Sequence, residues 1–130
     1  MSANNDLEKK TVLAFYGLTE NYNIPNKIEF SLYSNADKNL FFYCAVEKKI
    51  GGNWREIVPS IDATKVSKAA KLTKIEPNQS HHLTWNYKKQ TFYSGISPGV
   101  FRFKITFFED PEKSTPEKIY SDEFELLTQR

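Results

Sequence analysis

Apolar and charged side chains alternate along one segment of the sequence, and this alternation constrains the fold more than any other feature. From Val100 to Phe108 the chain reads VFRFKITFF. Every second position from 101 to 107 is Phe or Ile, and Arg102 and Lys104 lie between these apolar residues. Successive side chains of a β-strand point to opposite faces of the sheet. The period of two therefore predicts a strand that buries one face and exposes the other, as in an antiparallel sheet.

The same period recurs along the chain and is interrupted by Pro, Gly and Asn clusters, which favour turns. Residues 60–71 lose the alternation and are predicted to form a loop. Seven to eight short strands without a long helix or an internal repeat are typical of an antiparallel β-sandwich. We therefore predict an all-β fold, with strands at 11–18, 27–34, 40–48, 53–58, 72–75, 81–87, 100–108 and 118–127.

The phases of these strands define the expected core. Residues that share a phase with the buried rings should lie between the sheets, because each strand turns one side chain in two toward the interior. The predicted core comprises Phe30, Leu32, Phe42, Val46, Leu83, Trp85, Phe101, Phe103, Ile105 and Phe124.

The length and composition favour one folded domain. A chain of 130 residues with 39% hydrophobic and 15% aromatic residues can bury one core but is short for two. Residues 1–10 are polar and are predicted to form a flexible segment before a single domain at 11–128. The lone Cys44 cannot form an intramolecular disulfide, so packing alone must hold the fold together.

The charge and hydropathy of the chain argue against nucleic acid and membrane partners. The 18 basic and 16 acidic side chains leave a net charge of +2, too small to attract nucleic acid or anionic lipid over the whole surface. No segment approaches the ~20 apolar residues that insert into a bilayer, and the N-terminal sequence lacks a secretory signal pattern. We expect a cytoplasmic protein, and an exported longer parent is left open.

No combination of residues predicts catalysis, a metal site or a cofactor. His81 and His82 are adjacent on a predicted strand, so their side chains point to opposite faces and cannot share a metal ion. Cys44 is in phase with apolar residues, which is typical of a buried thiol rather than of a nucleophile. Neither a calcium-binding spacing of acids nor a Gly-rich phosphate loop is present. We expect a protein that is not an enzyme.

Several short motifs follow one another along residues 28–108. They are Ser34-Asn35, Trp54, the turn at 75–80 (IEPNQS), Trp85 and the strand start at 98–101 (PGVF). Their order resembles that of bacterial immunoglobulin-like domains, including the intracellular proteinase inhibitor (BsuPI) group. The resemblance implies an immunoglobulin-like antiparallel β-sandwich of seven to eight strands. It also implies either a noncatalytic protein-binding or assembly module or, as an alternative, an intracellular proteinase inhibitor that acts through an exposed loop.

The alternation also predicts which side chains the sheet exterior carries. Arg102 and Lys104 should face outward, and the neighbouring strand at 40–48 should place Phe41 and Tyr43 outward beside them. Two aromatic rings bordered by fixed charge have the composition of binding hot spots. These four residues are our candidate protein-binding site, for self-association or for another protein, unless this exterior contacts only water.

The last strand is predicted to add an acidic row to this exterior. Its phase places Tyr120 toward the core and Ser121, Glu123 and Glu125 outward, and it leaves Asp122 in the inward phase. The two cations of the candidate site would then pair with the two glutamates and lay their stems over the two aromatic rings.

A run of lysines in the predicted loop forms a secondary candidate site. Lys65, Lys68, Lys71 and Lys74 have no acidic residue between them, so they form either a solvated loop or a loop that binds an anion or a partner. This loop, or SPG at 97–99, would be the reactive loop of an inhibitor. Carbohydrate binding is poorly supported, because a sugar platform needs several aromatic rings on one outward face and Trp54 is a single ring.

Overall fold

Alternating and β-branched or aromatic segments of the chain form strands, and turns occur where Gly, Pro and Asn interrupt them. The computed structural model describes residues 12–23, 27–61, 72–86, 98–110, 112 and 115–127, and this part of the chain contains no helix. Its ten strands are β1 (Leu13–Tyr16), β2 (Asn21–Asn23), β3 (Ile28–Ser34), β4 (Leu40–Ile50), β5 (Asn53–Val58), β6 (Thr73–Ile75), β7 (Ser80–Trp85), β8 (Gly99–Phe108), β9 (Glu117–Tyr120) and β10 (Phe124–Leu127).

The strands form a small and a large sheet. The small sheet has the order β1-β3-β7, and the large sheet has the order β2-β10-β8-β4-β5, with β6 also paired to β4 and β9 also paired to β8. Neighbouring strands are antiparallel, except that β2 runs parallel to β10. The all-β prediction is confirmed. Two features of the strands were not predicted. β2 lies in the interval between the predicted strands at 11–18 and 27–34, and the predicted last strand is divided into β9 and β10.

Aromatic rings from both sheets meet in one core. The rings of Phe30 in the small sheet and Phe103 in the large sheet lie 4.5 Å apart, and Trp85 lies 5.9 Å from Phe101. All ten predicted core residues are buried, with at most 2% of each exposed. Cys44 is buried among them, as its phase predicted.

The β4–β5 hairpin carries a tight turn and a bulge. Gly51 and Gly52 both have positive φ, 61° and 85°, which a two-residue hairpin turn of this hand requires. Further along, Val46 lies opposite Val58 whereas Glu47 lies opposite Glu56, so β5 contains one extra residue. The extra residue turns Val58 into the core, opposite Val46, while Trp54 and Glu56 nearer the turn face outward.

A second irregularity divides the predicted last strand and corrects its phase. The four steps from Tyr120 to Phe124 lie opposite only three steps of β8, from Lys104 to Phe101. One extra residue inverts the side-chain alternation. The predicted phases of Tyr120 and Ser121 are therefore wrong: Tyr120 faces outward and is 44% exposed, and Ser121 is buried.

Candidate protein-interaction face

The exterior of the large sheet, here called the outer face, collects the side chains that alternate with the core residues. Cross-strand register brings them together on the side of the sheet away from the small sheet. The outer face comprises Phe41, Tyr43, Ala45, Glu47 and Lys49 on β4, Trp54 and Glu56 on β5, Lys74 on β6, Arg102, Lys104, Thr106 and Phe108 on β8, Lys118 and Tyr120 on β9, and Glu125 on β10.

An ion-pair network lies at the centre of the outer face. Glu47 is only 8% exposed, and its Oε1 accepts a hydrogen bond of 2.8 Å from the Nε of Arg102. The Nζ of Lys104 lies 3.5 Å from the Oε2 of Glu47 and 3.0 Å from the Oε1 of Glu56. Two cations and two acids sum to zero charge, which is the condition for holding charged groups away from solvent.

The network changes the protonation equilibrium of Lys104. Burial disfavours its charged ammonium, but hydrogen bonds from the ammonium to Glu56 and Glu47, and the negative charge of both, outweigh that effect and raise the pKa of Lys104. The ammonium is therefore held in its charged form.

A stack of alternating cations and aromatic rings crosses the strands of the outer face. The Cζ of Arg102 lies 4.2 Å from the ring centroid of Trp54 and 3.9 Å from that of Tyr120. The Nζ of Lys49 lies 5.9 Å from the same Trp54 ring. Each distance is within the range of cation-π attraction, so the guanidinium is fixed between two rings as well as by Glu47.

The structure places Arg102 and Lys104 outward, as predicted, but their partners differ from the prediction. They pair with Glu47 and Glu56 rather than with glutamates of the last strand, and Arg102 stacks on Trp54 and Tyr120 rather than over the rings of β4. The physical reason is the extra residue before Phe124, which brings an aromatic ring rather than an acidic row beside β8.

Phe41 and Tyr43 lie on the same face, further along the strands. Phe41 is opposite Phe108 on one side and Lys74 on the other, and Tyr43 is opposite Thr106. Both rings are half-buried. The four predicted site residues thus share one face, but they form two groups: the two cations in the central network and the two aromatic rings toward the far end.

Most of the secondary lysine site lies outside the described residues. Of Lys65, Lys68, Lys71 and Lys74, the structure describes only Lys74, whose Nζ lies 3.9 Å from the Oε2 of Glu76. Both side chains are about half exposed, and such a pair contributes little to stability.

The sequence prediction missed several residues of the outer face, namely Glu47, Trp54, Glu56, Phe108 and Tyr120. Glu47 and Phe108 have the outward phase of their strands, so simple alternation from Tyr43 and Arg102 would have found them. Tyr120 could not be found in this way, because the extra residue after it leaves no trace in the apolar pattern.

The outer surface of the small sheet carries a separate polar pair. Nε2 of His82 lies 2.7 Å from Oε1 of Glu29, and this hydrogen bond, with a further contribution from Lys27, lowers the pKa of Glu29. His81 turns the other way and its ring lies 5.6 Å from that of Phe42. Within the described ranges, no three His, Cys, Asp or Glu side chains lie together as a metal site would require.

No helix among the described residues is long and apolar enough to cross a membrane. No protein-family model matches the sequence, and comparisons with curated proteins and with solved structures found no match. The function therefore has to be inferred from the geometry of the outer face.

Proposed function

We propose that the chain is a noncatalytic, immunoglobulin-like protein-binding or assembly module that uses its outer face for the contact. One observation carries this proposal: five aromatic rings of the described residues lie on that face and none is fully buried. Phe41, Tyr43, Trp54 and Phe108 are half-buried, and Tyr120 is 44% exposed. Exposed rings grouped on one sheet face are typical of interaction surfaces.

The strand order supports the immunoglobulin-like part of the proposal. In an immunoglobulin-type domain, strands A, B and E belong to one sheet, and strands G, F, C and C′ are neighbours in the other. The orders β1-β3-β7 and β10-β8-β4-β5 correspond to these two sets. In this correspondence the outer face is the exterior of the G-F-C-C′ sheet.

The fixed side chains of the central network support a binding role. A side chain that is already held in one conformation loses little entropy when a partner covers it. Arg102 is held by Glu47, Trp54 and Tyr120, and Arg, Trp and Tyr are the residue types enriched in binding hot spots. The outer face therefore presents a preorganised centre and an adaptable aromatic end.

Photo-crosslinking from matched tyrosines tests the proposal. A photoreactive phenylalanine analogue replaces either Tyr43, on the outer face, or Tyr33, a tyrosine on the outside of the small sheet that is also half-buried. We expect discrete protein adducts from position 43, suppressed by excess unlabelled protein, and none from position 33. Adducts from position 33 alone, or equal non-competed labelling from both, would contradict the proposal.

The proteinase inhibitor alternative remains a prediction. Its candidate loops are at 65–74 and 97–99, of which the structure describes residues 72–74 and 98–99. No contact of these described residues favours entry into a protease cleft over the role of the outer face. Gly99 packs closely on Lys48, since a Cβ built on Gly99 would lie 2.9 Å from the Cε of Lys48.

A further inference from the structure

Two exposed residues of opposite charge lie on the outer face along the same side of β8. Lys118 of β9 is opposite Thr106, and Glu125 of β10 is opposite Val100. Six residue steps of β8 separate the two levels, about 20 Å at ~3.4 Å per residue, so the two charges cannot pair within one molecule. Among the described residues neither has an ion-pair partner.

Their positions are symmetric about the centre of the face. We call the number of the β8 residue beside which a side chain lies its level, so Glu125 lies at level 100 and Lys118 at level 106. Both levels are three residues from level 103, where Phe103 marks the middle of β8. A twofold axis that runs parallel to the plane of the sheet and perpendicular to the strands, at the level of Phe103, exchanges the two positions. The Lys118 of one copy then faces the Glu125 of a second copy, and the reciprocal pair forms at the same time.

We propose that the outer face is self-complementary and binds a second copy of this chain in an antiparallel, twofold arrangement. This inference rests on the proposed function and names the partner of the same face. Charge complementarity supports it, since Lys118 and Glu125, neither of which has an ion-pair partner among the described residues, occupy positions that the symmetry exchanges.

Other residues of the face fit the same axis. Tyr43 lies at level 106, and Lys49, one residue beyond the Lys48–Phe101 pair, lies at level 100, so Lys49 meets the Tyr43 ring of the second copy.

The symmetry also brings Arg102 of one copy near Lys104 of the other. This contact is tolerated because Glu47 and Glu56 neutralise both cations within each copy. The exposed ring of Tyr120, at level 104, is covered in the dimer by the bulged segment of the second copy.

The size of the face predicts a weak, concentration-dependent dimer. Four strands at ~4.8 Å and eight residue steps at ~3.4 Å give a patch of about 19 by 27 Å, or roughly 500 Å² per copy. A specific interface needs roughly 1,000 Å² in total, so the face lies at the lower limit. Dimerisation should weaken as the ionic strength rises, because salt screens the two exposed ion pairs that contribute to the contact.

Charge reversal tests the arrangement. Sedimentation velocity over a concentration series at low salt should show a monomer–dimer equilibrium for the parent. Lys118→Glu and Glu125→Lys should each weaken dimerisation at least about tenfold, because the symmetry creates two like-charge pairs in each variant. The double variant Lys118→Glu/Glu125→Lys should restore dimerisation to within about threefold of the parent. Asp37→Lys, a control in the turn between β3 and β4, should leave it unchanged.

The results also separate this inference from the proposed function. A double variant as weak as the single variants, or a parent that stays monomeric at every concentration, overturns the twofold arrangement. If the parent is monomeric while position 43 still crosslinks to a different protein, the self-contact is wrong and the binding role of the face stands. If dimers form but crosslink only from position 33, both are wrong.

Discussion

At the scale of single residues, Glu47 determines how the outer face is arranged. Its carboxylate is nearly inaccessible to solvent, yet it lies on the exterior of the sheet, because the side chains of Arg102 and Lys104 cover it. A carboxylate in this position gains charge-assisted hydrogen bonds and also fixes the direction of both cations. Glu56 makes a similar contact from a position where 40% of its side chain is exposed.

Replacing Glu47 by Gln should destabilise the fold by about 1–3 kcal/mol, because Arg102 would lose its acidic partner and Lys104 would keep only Glu56. Glu56→Gln is the matched control and should cost less than about 1 kcal/mol, since an exposed ion pair is screened by solvent. Urea denaturation measures both. Equal costs for the two variants would show that the burial of Glu47 does not matter.

The raised pKa of Lys104 makes part of the stability pH-dependent. A folded-state pKa above the unfolded value means that the contribution is fully present below the ordinary lysine pKa and is lost as the pH rises through the folded value. The difference in unfolding free energy between the parent and Lys104→Gln should therefore shrink in the alkaline range. Denaturant titrations between pH 7 and strongly alkaline pH measure this, with Lys38→Gln, an exposed lysine of the turn between β3 and β4, as control. A difference that stays constant would exclude the ion pairs as its source.

At the scale of the elements, two extra residues decide which side chains reach the outer face. One lies in β5 and lets Val58 enter the core while Trp54 faces outward. The other lies between β9 and β10, where the backbone N–H of Ser121 donates to the carbonyl of Phe103. Without the second one, Tyr120 would be in the inward phase and Arg102 would have only one ring to stack on.

The hydroxyl of Ser121 holds this second irregularity in place, and its removal should be costly. Its Oγ accepts a hydrogen bond of 2.9 Å from the backbone N–H of Phe103 and donates one of 2.9 Å to the carbonyl of Asp122. Ser121→Ala leaves the buried N–H without that acceptor, so we expect a loss of about 1–3 kcal/mol and faster amide exchange at Phe103. The exposed Ser80→Ala is the control. Unchanged exchange at Phe103 would mean that the hydroxyl is dispensable.

The same elements show which strands and side-chain phases could be predicted from the sequence and which could not. Strict alternation identified β8 and the core face of β4, because a misplaced phase there would expose several large rings. The phase of Tyr120 was wrong because the extra residue is specified by one serine hydroxyl and by backbone hydrogen bonds, which leave no apolar period. Two partners of Arg102 were missed for different reasons. Glu47 lies directly opposite Arg102 in the outward phase of β4, so continued alternation would have found it, whereas Tyr120 is brought beside Arg102 by the extra residue.

At the scale of the whole molecule, rings from both sheets join the two layers. The ring centroid of Phe103 lies 4.5 Å from that of Phe30, 6.0 Å from that of Trp85 and 5.2 Å from that of Phe124. Phe103 therefore packs against both the small sheet and its own sheet. The core and the outer face thus depend on the same strand, β8, with alternate residues serving each.

Truncation in the core should cost far more than truncation on the outer face. Phe103→Ala should lower the unfolding free energy by ~3–5 kcal/mol, because it leaves a cavity between the sheets. Phe108→Ala, a half-buried phenylalanine of the same strand, should cost clearly less. Urea denaturation of both variants compares them, and similar losses would show that the assignment of the two faces of β8 is wrong.

The two exteriors of the molecule offer an internal comparison for the binding role of the outer face. Tyr120 on the outer face and Tyr16 on the small sheet are both exposed, at 44% and 57%. Hydroxyl-radical footprinting of both tyrosines, in dilute pure protein and under conditions where the protein contact forms, tests the binding role of the outer face. We expect Tyr120 to become protected while Tyr16 keeps its reactivity. Protection of Tyr16 with Tyr120 unchanged would contradict it.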